Sequence, residues 1–187
     1  MKRKNLLLVL AMCLGMLMLC QVAWVAADTE PTVGTNLGNV SFSAPVSAEG
    51  AKYLGLSSAA PFHLSDIKSP YVLVESFNTT CPHCMAQAPV LNVLFGKIQS
   101  DPSLKNKIKM VSAGQGNDVG AIQMWKKFNK VPFALVPDAD RKLSKAMNFG
   151  PYPVTMLVNK SGKVLWVEVG QFENADSAFS AIKKAAK

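Results

Sequence analysis

The segment Tyr71–Phe77, YVLVESF, is a β-branched and aromatic run of strand length, and Cys81 follows it after only three residues. A strand that is apolar on both faces belongs inside a sheet with both sides covered, as parallel strands are. From Cys81 to about Gln99 the apolar residues Met85, Ala88, Leu91, Leu94 and Phe95 fall at helical spacing. Pro82 stands in the first turn of that helix, where a missing N–H costs nothing. A buried strand feeding a helix through a tight turn commits the chain to an α/β architecture.

The remaining sequence repeats that alternation. KIKMVSAG (107–114) reads as a strand, NDVGAIQMWKKFNK as a helix capped by Asn117 or Asp118, and PFALVPD as a further strand before the short helix DRKLSKAMN. TMLVNKSGKVLWVEVG reads as two strands joined by a turn at residues 160–162, and ADSAFSAIKKAAK as a closing amphipathic helix. The predicted fold is a central mixed sheet flanked by helices on both faces, over residues 51–187. Residues 28–50 are rich in Gly, Ser, Thr, Pro and Asn and read as a flexible tether, with short β pairing around Val40–Phe42.

The chain begins Met-Lys-Arg-Lys, runs apolar from Leu6 to Ala27, and turns polar at Asp28. A basic start, an apolar stretch and a small-residue end with Val25 and Ala27 predict a secretory signal over residues 1–27. Uncut, the apolar stretch of about twenty residues would span a bilayer, so an N-terminal anchor is the alternative. Leu19 before Cys20 and Met12 before Cys13 argue against lipidation.

Cleavage removes Cys13 and Cys20 and leaves Cys81 and Cys84 as the only cysteines. An exported protein stapled by disulfides would pair cysteines across long loops, whereas this pair closes almost none. The mature chain, about 160 residues, is one ordinary domain with volume for a core of its own. Losing Lys2, Arg3 and Lys4 takes the 20 basic residues to 17 against 12 acidic ones, a net charge of +5. Scattered Lys with the single Arg141 reads as a solvated surface rather than a nucleic-acid or membrane patch.

A dithiol two residues apart points to redox chemistry. Thiols attack as thiolates, and a helix start aims free backbone N–H groups and the positive end of the helix dipole at Cys81. His83, between the cysteines, can add a donor or a positive charge beside the same sulfur. Cys84, one turn deeper, shares a helix face with Cys81 and is placed to resolve a mixed disulfide. Glu75, six residues upstream, would have a raised pKa if buried beneath the helix and could then take the proton from Cys84. The dithiol itself carries two electrons, so no dissociable cofactor is required.

Strand, Cys-Pro-His-Cys and helix together resemble the thioredoxin fold, and the Pro-His dipeptide and upstream Glu resemble the DsbA-type thiol oxidases. FGPYPVTMLVNKSGKV is similar to the TlpA and ResA branch of periplasmic thioredoxins, with Pro153 at the cis-proline position and Thr155, Leu157, Lys160 and Gly162 matching. The resemblance covers Phe62 to Lys187, and the 69 positions from Cys84 to Pro153 fit the TlpA type rather than DsbA. It departs at Thr80, where the family commonly has Trp, and at Gln87, where ResA-type proteins place an acid. It implies a periplasmic thiol:disulfide oxidoreductase acting on cysteine-containing client proteins and recycled by a membrane redox partner. Pro82, Tyr152 and Pro153 would seat the client chain. The dipeptide implies an oxidase, the scaffold a reductase serving cytochrome c maturation.

Competing readings carry less. A closed zinc site needs four ligands, and the mature chain offers beyond the two cysteines only His63 and His83. His63 reads as a loop residue and GQGND as a turn and helix cap. Met85, Met110, Met124, Met147 and Met156 read as core filler. A copper carrier using Cys81, Cys84 and Met85 is the alternative outside catalysis. A peroxiredoxin would need Pro and Thr where this chain has Val74 and Asn78.

Overall fold

The computed structural model describes residues 29–187. The expected signal over 1–27, the alternative anchor, and Cys13 and Cys20 lie outside the described residues. The elements run β1 (Ser41–Phe42), α1 (Ala48–Leu54), β2 (Phe62–His63), β3 (Tyr71–Phe77), α2 (Pro82–Ser100), β4 (Ile108–Gln115), α3 (Val119–Phe128), β5 (Ala134–Asp138), α4 (Lys142–Met147), β6 (Val154–Asn159), β7 (Val164–Val169) and α5 (Ala175–Ala185). Among the described residues no helix is long and apolar enough to cross a membrane.

Five strands form one mixed sheet in the order β5-β4-β3-β6-β7, with β3 at its centre. β3 runs parallel to β4 and antiparallel to β6, which places Ser112 and Thr155 in register on either side of Glu75. Side-chain alternation along β3 sends Leu73 and Phe77 into one core with Leu91 and Leu94 of α2, Ile122 and Trp125 of α3, and Ile182 of α5. Val72 and Val74 face the opposite core, with Leu54 of α1 and Leu143 and Met147 of α4. Helices thus cover both faces, and β3 is buried at all but its first residue.

Where the composition suggested a tether, the chain is built into the second face. Leu37, Val40 and Phe42 are buried, and β1 pairs with β2 antiparallel. The N–H of Gly34 donates to the Val164 carbonyl at 2.9 Å, and that of Leu37 to the Gly162 carbonyl at 2.9 Å. A few apolar side chains suffice here because the β6–β7 hairpin offers open backbone groups and a ready core. Gly162, at φ 82°, lies against the Gly38 backbone and leaves no room for a Cβ. Helix α1 escaped the sequence reading, although Ser47 caps its start and Gly55 closes its end at φ 76°.

The methionines divide. Met110, Met147 and Met156 are buried, whereas Met85 and Met124 are 48% and 73% exposed. Helix α2 buries Cys84, Gln87, Ala88, Leu91, Leu94 and Ile98 as one stripe, and Met85, next round the helix from Cys84, falls outside it.

Candidate functional site

The loop between β3 and α2 is shaped by Asn78, whose Oδ1 accepts from the Thr80 N–H at 2.9 Å and the Thr80 hydroxyl at 2.7 Å. It delivers Cys81 as the N-cap of α2, with extended φ/ψ of −79° and 121°. The Cys81 Sγ accepts from the Cys84 N–H at 3.4 Å, so a free backbone donor at the helix start faces the sulfur. Both cysteines are free thiols, Cys81 8% and Cys84 1% exposed, so the outer sulfur is the reachable one. Pro82 and His83 follow on the exposed side of the first turn.

Across from the dithiol lies the loop that enters β6. The Tyr152–Pro153 peptide is cis, and the Cys81 thiol donates to the Tyr152 carbonyl at 3.9 Å. Tyr152 is 37% exposed and Pro153 is buried. Cys81, Cys84, Pro82, Tyr152 and Pro153 therefore converge at one end of the sheet. His63 lies elsewhere, on β2, beside Asp66.

Below the dithiol sits a buried polar column. Glu75 Oε2 accepts from the Ser112 hydroxyl at 2.5 Å and Oε1 from the Gln87 carboxamide at 3.0 Å. Gln87 Oε1 in turn accepts from the Phe172 N–H at 3.0 Å, which fixes the NH2 end toward Glu75. Burial pushes the Glu75 carboxyl up from its ordinary 4.5 to about 7, against the lowering effect of the Ser112 and Gln87 hydrogen bonds. Burial likewise pushes the Cys84 thiol up, with the Cys81 and Glu75 charges adding to the rise. Gln87 was read only as a departure from a family pattern. Its signal was a polar residue three after Cys84 and four before Leu91, at a position the apolar stripe demands.

One wall beside the dithiol is apolar. Thr79, Met85, Met124, Trp125 and Phe128 line a groove between the start of α2 and helix α3, with Phe128 83% exposed. Among the described residues no three His, Cys, Asp or Glu side chains come together as a metal centre would need. The arrangement can cycle a thiol pair: an outer sulfur at a helix start, an inner one shielded, and beneath them a carboxyl that gains or loses a proton near neutral pH.

The sequence pattern of the Redoxin family matches residues 23–184. The chain is 29% identical over 107 residues to the thiol-disulfide oxidoreductase ResA of Bacillus subtilis, covering 57% of each protein. To ResA of Geobacillus kaustophilus it is 24% identical over 113 residues, 60% of this chain and 62% of the relative. The match thus spans little more than half the length of these relatives. Among solved structures, StoA from Bacillus subtilis aligns with a TM-score of 0.55 and 18% identity over 66% of this chain and 90% of its own. A thioredoxin-family thiol:disulfide interchange protein from Chlorobium tepidum aligns at 0.57 and 18% over 86% and 100%. The dsbF protein of Mycobacterium tuberculosis aligns at 0.62 and 17% over 82% and 99%. At these identities the structures speak to the fold, which is thioredoxin-like.

Proposed function

The chain belongs to the Redoxin family, and on that premise we propose that it is a periplasmic thiol:disulfide oxidoreductase acting on protein cysteines. The observation that carries the reading is the stacking of Cys81 at a helix start, a shielded Cys84 and the buried Glu75. In the oxidising direction a client thiolate attacks Sγ of Cys81 in the Cys81–Cys84 disulfide, and Cys84 leaves as a thiolate that takes the Glu75 proton. A second client thiolate then attacks the client sulfur of the mixed disulfide. The client disulfide forms, Cys81 leaves as a thiolate, and two electrons have passed to the protein.

The reducing direction is the same path reversed, with ionised Glu75 taking the proton from Cys84 as it attacks. The Pro-His dipeptide favours the oxidising one. His83 tunes the dithiol from the exposed side of the helix turn, while Pro82, Tyr152 and Pro153 seat the client backbone. The apolar groove beside Met85 suits a polypeptide rather than a small polar substrate. A membrane redox partner restores the starting state. The apolar leader over Leu6–Ala27 supports export, and no dissociable cofactor is needed.

Trapping tests the reading. Cys84→Ser incubated with a cysteine peptide carrying a mixed disulfide should accumulate a covalent adduct at Cys81, and Cys81→Ser should form none. An adduct at Cys84 in the Cys81→Ser protein, equal in rate to the other, would overturn it.

A further inference from the structure

On the face of the sheet opposite α2, the end of β4 holds two loops together. Gln115, the last residue of β4, is 2% exposed. Its side chain reaches across the end of β3, the central strand, where Oε1 accepts from the Ser76 hydroxyl at 3.0 Å. Beyond it, Nε2 donates to the Gly150 carbonyl at 2.8 Å, two residues before Tyr152. That carbonyl only accepts, so the carboxamide has one orientation, and Ser76 must donate to its oxygen.

The same residue holds the dithiol loop. The Gln115 carbonyl accepts from Asn78 Nδ2 at 2.8 Å, and the other end of the Asn78 carboxamide shapes the turn into Cys81. Two residues on, Asn117 Oδ1 accepts from the Thr79 N–H at 3.0 Å and Nδ2 donates to the Thr79 hydroxyl at 3.0 Å. The strand end is thus hydrogen-bonded to the loop before Cys81 and to the loop before Pro153. Those loops join the sheet through different strands, and their separation decides whether a chain seated on one meets the sulfur on the other.

We propose that Gln115 is a positioning residue that fixes the Gly150–Pro153 loop against the Cys81 loop and so sets the seat of the client backbone. This rests on the oxidoreductase reading above. Gln115 touches neither sulfur, so its loss displaces the seat without altering the dithiol's own reactivity. A displaced seat weakens recognition of an extended peptide, whereas a disulfide too small to span the loops is unaffected.

The test is a single-turnover comparison with pre-reduced protein and two probes, a glutathionylated cysteine peptide of about ten residues and 2-hydroxyethyl disulfide. In each reaction the probe disulfide gains two electrons and becomes two thiols, and the protein dithiol becomes the disulfide. Gln115→Met, nearly isosteric, should raise the half-saturating peptide concentration about tenfold and leave the small-disulfide rate within about twofold. Gln115→Asn keeps the carboxamide but is one methylene short of both walls, and serves if the Met protein does not fold. Equal losses with both probes, or an unchanged half-saturation in a folded variant, would overturn the proposal. Wild-type protein inert toward both probes would instead sink the oxidoreductase reading on which it stands.

Discussion

Two buried carboxylates on one sheet are handled in opposite ways. Asp138, at the end of β5, is 5% exposed, and its oxygens accept from the backbone N–H groups of Lys142 at 2.7 Å and Leu143 at 3.1 Å. Those donors open helix α4, so the fold supplies a carboxylate's partners whatever the side chains around it. Glu75, in central β3, is 6% exposed and meets only a hydroxyl and a carboxamide. Neither carries charge, and the Ser112 hydroxyl can donate or accept, so the carboxyl can hold a proton or release it without losing a partner. An acid tied to main-chain amides belongs to the architecture. One tied to reversible side-chain partners beneath a thiol is suited to proton traffic.

The largest expected effect separates the two acids by rate. Glu75→Gln should slow attack of Cys84 on a mixed disulfide at Cys81 by about 100-fold, followed by quenched-flow release of the peptide. Asp138→Asn should leave that rate within about threefold, and comparable slowing in both variants would break the comparison.

Stability provides the next contrast. An unfolded Glu ionises around the ordinary 4.5, but in the folded chain it does so only at about 7. Between those values the folded chain holds a proton that the unfolded chain has lost. Stability therefore falls as pH rises through this window and levels off above it. Glu75→Gln removes that loss and can still accept from Gln87 while donating to Ser112. By urea unfolding it should gain about 3 kcal/mol over wild type at about pH 8 and almost nothing at about pH 4. Asp138→Ala strands two amides and should lose about 2 kcal/mol at about pH 8.

Smaller shifts sharpen the picture of Glu75. Gln87→Glu would set a second carboxyl beside it. The pair would then share one proton, and the inflection in the resolution rate should move up by about one pH unit. Ser112→Ala deletes the larger of the two hydrogen bonds that lower the Glu75 carboxyl. The same pH profile should show its inflection rising by less than about one unit.

Much of this was legible in the sequence. The apolar run at Tyr71–Phe77 and the helical spacing after Cys81 announce the central strand and the dithiol helix, because burial on both faces and helix periodicity leave direct marks on residue order. Glu75 stands out for the same reason, as a charge inside an apolar strand. Helix α1 went unread despite its Ser47 cap and Gly55 stop, and the burial of Leu37 was hidden, because α1 packs against β4 and β5 and Leu37 bonds to the β6–β7 hairpin, partners far off in the sequence. Met85 was placed on the buried face, but it lies about 100° round the helix from Cys84, outside the stripe that carries Ala88, Leu91 and Leu94. Gln115 gave no signal at all: its value lies in two loops that only the folded sheet brings together.

The most direct test of Glu75 as the proton carrier is a carbon-13 NMR titration of its side-chain carboxyl, in the reduced and the oxidised protein. The midpoint should lie at about 7 with the dithiol reduced and move when Cys81 and Cys84 are joined. A midpoint that stays at the ordinary 4.5 in both redox states would contradict that role.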